Sequence, residues 1–189
     1  MGPTTRTTHG SIILLNGTSS SGKGSIANEL LSLLDPPRFH FSVDAFNAMR
    51  SKEKTSLLSG SELDEVLHRT RAGFHRAVAG MAFAGNSVVM DYVLSEPWRL
   101  RDCLEVFDGL RVVFVGVRCA LEVLENRERI REDRVLGTAA SQAEIVHSFG
   151  TYDIEVWTDQ MTPREAASHI ASLLSGIGPI TAFDRLRPT

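Results

Sequence analysis

Only two cysteines, Cys103 and Cys119, occur in the 189 residues. They form neither a metal-ligand spacing nor a disulfide framework, so both read as ordinary thiols in a reducing compartment. No apolar stretch approaches the roughly 18 residues of a membrane span. The first ten residues lack the apolar run of a signal peptide. Met1-Gly2 is no myristoylation signal either, because Arg6 stands where Ser or Thr is needed. Neither sign of charge dominates: 20 Lys and Arg face 23 Asp and Glu, for a net charge of −3. That balance argues against a general nucleic-acid binder but leaves room for a local basic pocket. The expectation is a cytoplasmic protein with neither a nucleic-acid nor a membrane partner.

What is present is ordinary for a soluble globular chain, with 42% apolar and 23% charged residues. The length suits one domain with its own buried core. Ser11 to Asn16 is a short apolar run, the pattern of a strand buried on both faces. Ile26, Leu30, Leu33 and Leu34 then recur at helical spacing until Pro36-Pro37. Phe39, Phe41 and Val43 alternate into a second strand closing at Asp44, and residues 47–60 read as a loop. Ser61 with Asp64 reads as a capping box opening a helix with Leu63, Val66, Leu67, Phe74, Val78 and Met81 on one face.

Further strands are expected at Ser87 to Asp91, Arg111 to Val117 and Tyr152 to Trp157, with helices between them. Thr162-Pro163-Arg164-Glu165 carries the N-cap, first-turn proline and capping glutamate of a last helix. Strands alternating with helices imply parallel pairing with right-handed crossovers. The expected fold is an α/β three-layer sandwich around a parallel sheet of about five strands. Its expected organisation is a flexible start over residues 1–10, the domain over 11–176, and a loosely packed tail over 177–189.

The chemistry-bearing motif is Gly17-Thr18-Ser19-Ser20-Ser21-Gly22-Lys23, which fits G-x-x-x-x-G-K between a buried strand and a helix. Glycines let such a loop wrap closely with its N–H groups inward, and the helix N-terminus adds positive potential for phosphate oxygens. Lys23 supplies a mobile cation for the outer phosphates. The next residue is Gly24, where a Ser or Thr hydroxyl would hold magnesium. Ser25 follows, rotated by about 100° along the helix.

Asp44 and Asp91 both fall at predicted strand ends, where ligands bind in parallel α/β sheets. Asp91 follows an apolar strand, which favours an indirect hold on a metal through water. Asp44 follows the second strand and is assigned the general-base role. Arg127, Arg131 and Arg134, at i, i+4 and i+7, form one helical stripe suited to a triphosphate on a lid over about residues 127–138. The bland alternative is a solvated face paired with Glu125, Glu128, Glu132 and Asp133. His147 reads as a cation closing a helix rather than a substrate contact.

With these residues assembled, the chain resembles the chloramphenicol phosphotransferase-like family of P-loop kinases from about Ile12 to Thr158. The resemblance rests on Leu15-Asn-Gly-Thr-Ser-Ser-Ser-Gly-Lys23, Ser42-Val-Asp44 and Val115-Gly-Val-Arg-Cys119. It continues through Glu125-Asn-Arg127, Asp133-Arg-Val-Leu-Gly137, Gln142, Val146-His147 and Tyr152-Asp-Ile-Glu-Val156. It implies a fold similar to nucleotide-monophosphate kinases, with ATP and Mg²⁺ as cofactors. The implied reaction is phosphorylation of a hydroxyl on a small antibiotic such as chloramphenicol, hence resistance by inactivation.

The family's catalytic aspartate falls on Asp44 and its phosphate-binding lysine on Lys23. Its lid arginines fall on Arg127, Arg131 and Arg134, with Arg134 counted among the catalytic groups. Gly17 through Ser25 and the three arginines make up the nucleotide site. Family members usually carry Ser after the lysine, so Gly24 departs from the pattern. The expected partners are a nucleoside triphosphate and a hydroxyl-bearing acceptor, with a homo-oligomer left open. Two other readings stand: a kinase of another metabolite or activated sugar, as in zeta-toxin-like relatives, and a nucleotide-binding module without transfer chemistry.

Overall fold

A computed structural model of the chain describes residues 9–130 and 137–187. Its centre is a five-stranded, all-parallel sheet in the order β2-β3-β1-β4-β5. The strands are β1 (Ile12–Asn16), β2 (Arg38–Ser42), β3 (Ser87–Tyr92), β4 (Val112–Arg118) and β5 (Ile154–Trp157). β1 is buried along its whole length, as its unbroken apolar run requires of a central parallel strand.

Side chains alternate between the two faces with the period of two that strand geometry imposes. Ile12 and Leu14 pack on one side with Phe74 and Val78 of α4 (Gly60–Phe83) and Leu100 and Cys103 of α5 (Pro97–Val106). Ile13 and Leu15 pack on the other with Ile26, Ala27 and Leu30 of α1 (Lys23–Leu33) and Ala166 and Ile170 of α8 (Pro163–Leu173). The result is the expected three-layer α/β sandwich. The chain leaves β1 toward β2 on one side and leaves β4 toward β5 on the other, so a ligand crevice opens at the carboxyl end of β1.

Four expectations need correction. The stretch 47–60 is not a plain loop: it lies among α2 (Val43–Ala48) and α3 (Lys52–Ser56), helices too short to show a periodicity. They are held locally, by Ser51 accepting from the Lys54 N–H and by Arg50 donating to Asn47, Thr55 and Thr70. The long helix starts at Gly60 without a side-chain cap, which places Ser61 and Asp64 inside it.

β2 ends at Ser42, and Asp44 sits in the first turn of α2, one element later than predicted. The tail is not loosely packed. Thr181 and Asp184 form a capping box that starts α9 (Ala182–Arg185) and drives Phe183 fully into the core. Asp153 clamps the same turn to the sheet, accepting from the N–H groups of Phe114 (2.8 Å) and Ala182 (2.6 Å).

Candidate active site

The loop after β1 is wound by local backbone geometry. Ser20 (φ 59°) and Gly22 (φ 88°) both lie in the left-handed region, which glycine tolerates and serine adopts at a cost of about 1–2 kcal/mol. Gly17 is required by space: a Cβ there would lie 2.4 Å from the Val117 carbonyl oxygen. A loop wound this way at a helix N-terminus turns N–H groups to one side, a concavity suited to anions. The buried Lys23 folds back over it, its Nζ donating to the Thr18 carbonyl at 2.7 Å and standing 3.8 Å from Asp91 Oδ1. The Ser19 N–H donates to Gln142 Oε1 at 2.8 Å, latching the loop to α7 (Thr138–Val146).

Register brings the carboxylates together. Ser42 of β2 pairs with Asp91 of β3, and Asp91 pairs with Leu15 of β1. Asp91 therefore stands between the phosphate loop and the α2 turn that carries Asp44. It is the penultimate residue of its strand rather than the last. His40, on β2, points its buried Nε2 toward Asp91 Oδ2 at 3.8 Å, a neighbour that sequence reading missed.

Gly24 has a geometric meaning here. A Cβ at that position would approach Asp91 Oδ2 to 3.2 Å, so the carboxylate borders the space that a Ser or Thr side chain would take. Among the described residues no group of three or more His, Cys, Asp or Glu could hold a metal by itself. The hard oxygens of Asp91, with Asp44 on the same cavity, nevertheless fit a magnesium ion, which keeps most of its waters and binds one or two carboxylates.

Two cavities meet at this loop. One, of about 690 Å³, runs between Arg127, Ile130, Thr158, Met161 and Pro163. The other, of about 550 Å³, takes in Lys23 and the loop residues around it and is lined further by Asp44, Asp91, His40, Arg71 and Arg99, among others. Ser20, Gly22 and Ser25 border both. Arg127 comes from α6 (Leu121–Ile130) and is already tied down. It donates to the Ser20 carbonyl (3.3 Å), the Thr158 hydroxyl (3.0 Å) and the Thr158 carbonyl (2.7 Å). Arg131 and Arg134 lie outside the described residues.

Glu128 is not part of a solvated face: it is buried, and its carboxylate accepts from the N–H groups of Gly137 and Ala139 at the start of α7. His147 does cap α7 but is no cation, because burial and then the charge of Arg118 lower its pKa to about 4.

A comparison with protein-family models matches residues 10–175 to the chloramphenicol phosphotransferase-like proteins. Curated relatives in two strains of Mycobacterium tuberculosis, each named a "Putative O-phosphotransferase", are 30% identical over 198 residues, spanning 94% of this chain and 88% of theirs. Among solved structures, the Mycobacterium tuberculosis APS kinase in complex with AMPPNP and APS superposes with a TM-score of 0.64 at 17% identity. That match covers 88% of this chain and 98% of that one. The Deinococcus radiodurans tunicamycin resistance protein also gives 0.64, at 19% identity over 87% of this chain and 95% of that one. The chain belongs to the chloramphenicol phosphotransferase-like family and is a small-molecule O-phosphotransferase with a P-loop kinase fold.

Proposed function

We propose that the protein transfers the γ-phosphoryl group of ATP to a hydroxyl of a small molecule, with the nucleoside in one cavity and the acceptor in the other, which holds Lys23. The single observation that carries this reading is the pair of cavities joined at the phosphate loop. The nucleoside occupies the more apolar one, beside Arg127, Ile130 and Pro163. Its β- and γ-phosphates lie on the N–H groups between Gly17 and Ser25, against Lys23. The acceptor occupies the other, where Asp44 takes the hydroxyl proton. The acceptor oxygen bonds to the γ-phosphorus, the bond from that phosphorus to the β,γ-bridging oxygen breaks, and ADP leaves. Lys23, with Arg131 and Arg134 from the segment outside the described residues, offsets the charge that builds on the transferring group.

Asp91 would hold magnesium through water, and the bound ion would supply further neutralisation of phosphate charge. The antibiotic acceptor expected from sequence rests on the family resemblance. Chloramphenicol is therefore the first compound to assay, followed by hydroxyl compounds screened for ATP-dependent mass gain. Titration calorimetry with ATP and GTP tests the foundation. Heat from a nucleoside triphosphate that is lost in Lys23→Met supports the assignment. No heat from either nucleotide with the wild-type protein refutes it.

A further inference from the structure

The acceptor cavity is charged in a way that the transfer step does not use. Arg71, half-buried on α4, and Arg99, on α5 and only 7% exposed, both line it. Among the described residues Arg71 has no hydrogen-bond or ion-pair partner. Arg99 donates to the Val93 carbonyl at 2.9 Å and pairs with Glu96, yet its Nε is buried with no partner. Burial, and then the charge of Arg99, pull the Arg71 guanidinium below its usual pKa of 12.5, with Arg50 adding to the effect. Partly desolvated like charges on one cavity are unfavourable unless an anion joins them.

The nearby carboxylates do not supply that anion. Glu96 offsets part of the Arg71 charge from a distance, but its hydrogen bonds go to Arg99 and to the Trp98 indole N–H. Asp91 faces Lys23 and His40 across 3.8 Å each. Asp44 carries the proton-accepting role proposed above. The nucleotide's phosphates, in the reading above, are taken up by the loop N–H groups and Lys23 at the edge of this cavity. The remaining source of negative charge is the acceptor itself.

We infer that the acceptor is an anionic hydroxyl compound, whose carboxylate or phosphate ester is gripped by Arg71 with Arg99 while its hydroxyl faces Asp44. A planar guanidinium offers two parallel donors to either group, which fixes orientation as well as charge. The substrate class rests on the transfer reading above; the anion site does not. Chloramphenicol, which is neutral, leaves Arg71 without a counter-charge and is expected to be a poor acceptor.

The test separates the two readings. With the phosphate loop saturated by AMPPNP and magnesium, inorganic sulfate is titrated into wild type, Arg71→Lys and Arg71→Met, each variant's nucleotide affinity having been measured first. Sulfate binding is expected to weaken by about tenfold or more in Arg71→Met and by less in Arg71→Lys, which keeps the charge. Arg71→Gln repeats the loss with a polar replacement, and circular dichroism checks that each variant folds. Equal sulfate affinity in all the variants, or no binding to wild type, overturns the proposal.

Acceptor-dependent ADP release is then compared for matched pairs, gluconate against glucose and 3-phosphoglycerate against glycerol, with chloramphenicol alongside. Preference for the charged members supports the inference, and faster turnover of the neutral ones overturns it. Loss of sulfate binding in Arg71→Met without ADP release from any compound leaves the anion site standing and removes the phosphotransfer reading.

Discussion

The two layers that flank the sheet serve the two cavities unequally. The layer of α1 and α8 ends at the nucleotide cavity, whose Gly22, Ser25 and Ile26 come from one contiguous stretch and whose Met161, Thr162 and Pro163 come from another. The layer of α4, α5 and α9 ends at the cavity proposed for the acceptor, which shares the contiguous loop stretch around Lys23 but adds His40, Asp44, Arg71, Asp91 and Arg99 from separate elements. The first draws on a few contiguous stretches, with Arg127 and Ile130 of α6 closing it. The second exists only once strand register and helix packing have placed distant residues side by side. In the proposed reaction the first would hold the nucleoside and the second the acceptor.

Asp44→Asn tests that division most strongly. The change keeps size and hydrogen bonding but removes the proton acceptor, so kcat should fall by about 10²–10⁴. Nucleotide affinity, measured by calorimetry, should hold, because the proposed role of Asp44 is toward the acceptor hydroxyl and not the phosphates. Equal damage to ATP binding would show that the two cavities are not independent.

Phe183→Ala comes next and acts on the acceptor layer from below. The ring is fully buried against Phe107 and Phe114, with centroids 6.2 Å and 5.9 Å away. Truncating a core Phe costs about 3–5 kcal/mol, which urea unfolding should detect. A loss under about 1 kcal/mol, the range of ordinary surface substitutions, would mean that the tail is dispensable. The signal for this packing was in the chain: Thr181-Ala-Phe-Asp184 is a second capping pattern, like Thr162 to Glu165. It went unread because Gly176, Gly178 and Pro179 before it look like the approach to a frayed end.

The same contrast explains how far the sequence could be read. β1, the phosphate loop and α1 were legible because a buried run, two glycines and a lysine at fixed spacing determine one local geometry. Asp91 and Asp44 were legible as carboxylates near the phosphate loop but not in their exact position, since a carboxylate can end a strand or begin a helix with equal ease. Arg71 and Arg99 were not legible at all. On a helix an arginine reads as a solvated face, and only tertiary packing turns these two toward a cavity. Gln142 entered through the family likeness, but nothing local said that its amide would reach the Ser19 N–H.

Gly24→Ser sharpens the comparison at the border between the halves. The new Cβ would stand 3.2 Å from Asp91 Oδ2, so the carboxylate must yield by a few tenths of an ångström. The added hydroxyl supplies one ligand or hydrogen bond, worth about 1 kcal/mol. The magnesium concentration for half-maximal ADP release should drop by about fivefold. An increase instead would mean that Asp91 cannot move aside, and that glycine is required here for space.

The smallest effect concerns the hinge between the layers rather than either cavity. Asn16, the last residue of β1, donates through Nδ2 to the Val146 carbonyl at 2.7 Å and to the Tyr152 oxygen at 2.9 Å. The Tyr152 hydroxyl also stands 2.7 Å from His147 Nδ1 and 3.3 Å from the Val146 carbonyl, two acceptors for its proton when the imidazole is neutral with Nδ1 bare. Burial pushes the Tyr152 pKa up to about 12, which keeps the phenol protonated. Burial, and then the charge of Arg118, hold the His147 pKa near 4 against 6.5 for the free group, so the imidazole beside Tyr152 is neutral. Between those values the unfolded chain binds a proton that the native state refuses, so stability is full above pH 6.5 and declines as pH falls toward 4. His147→Asn should flatten that decline in urea midpoints measured across the window while leaving stability above pH 7 less affected. An unchanged slope would place the titrating group elsewhere and free His147 for another role in holding α7, and with it Gln142, against the phosphate loop.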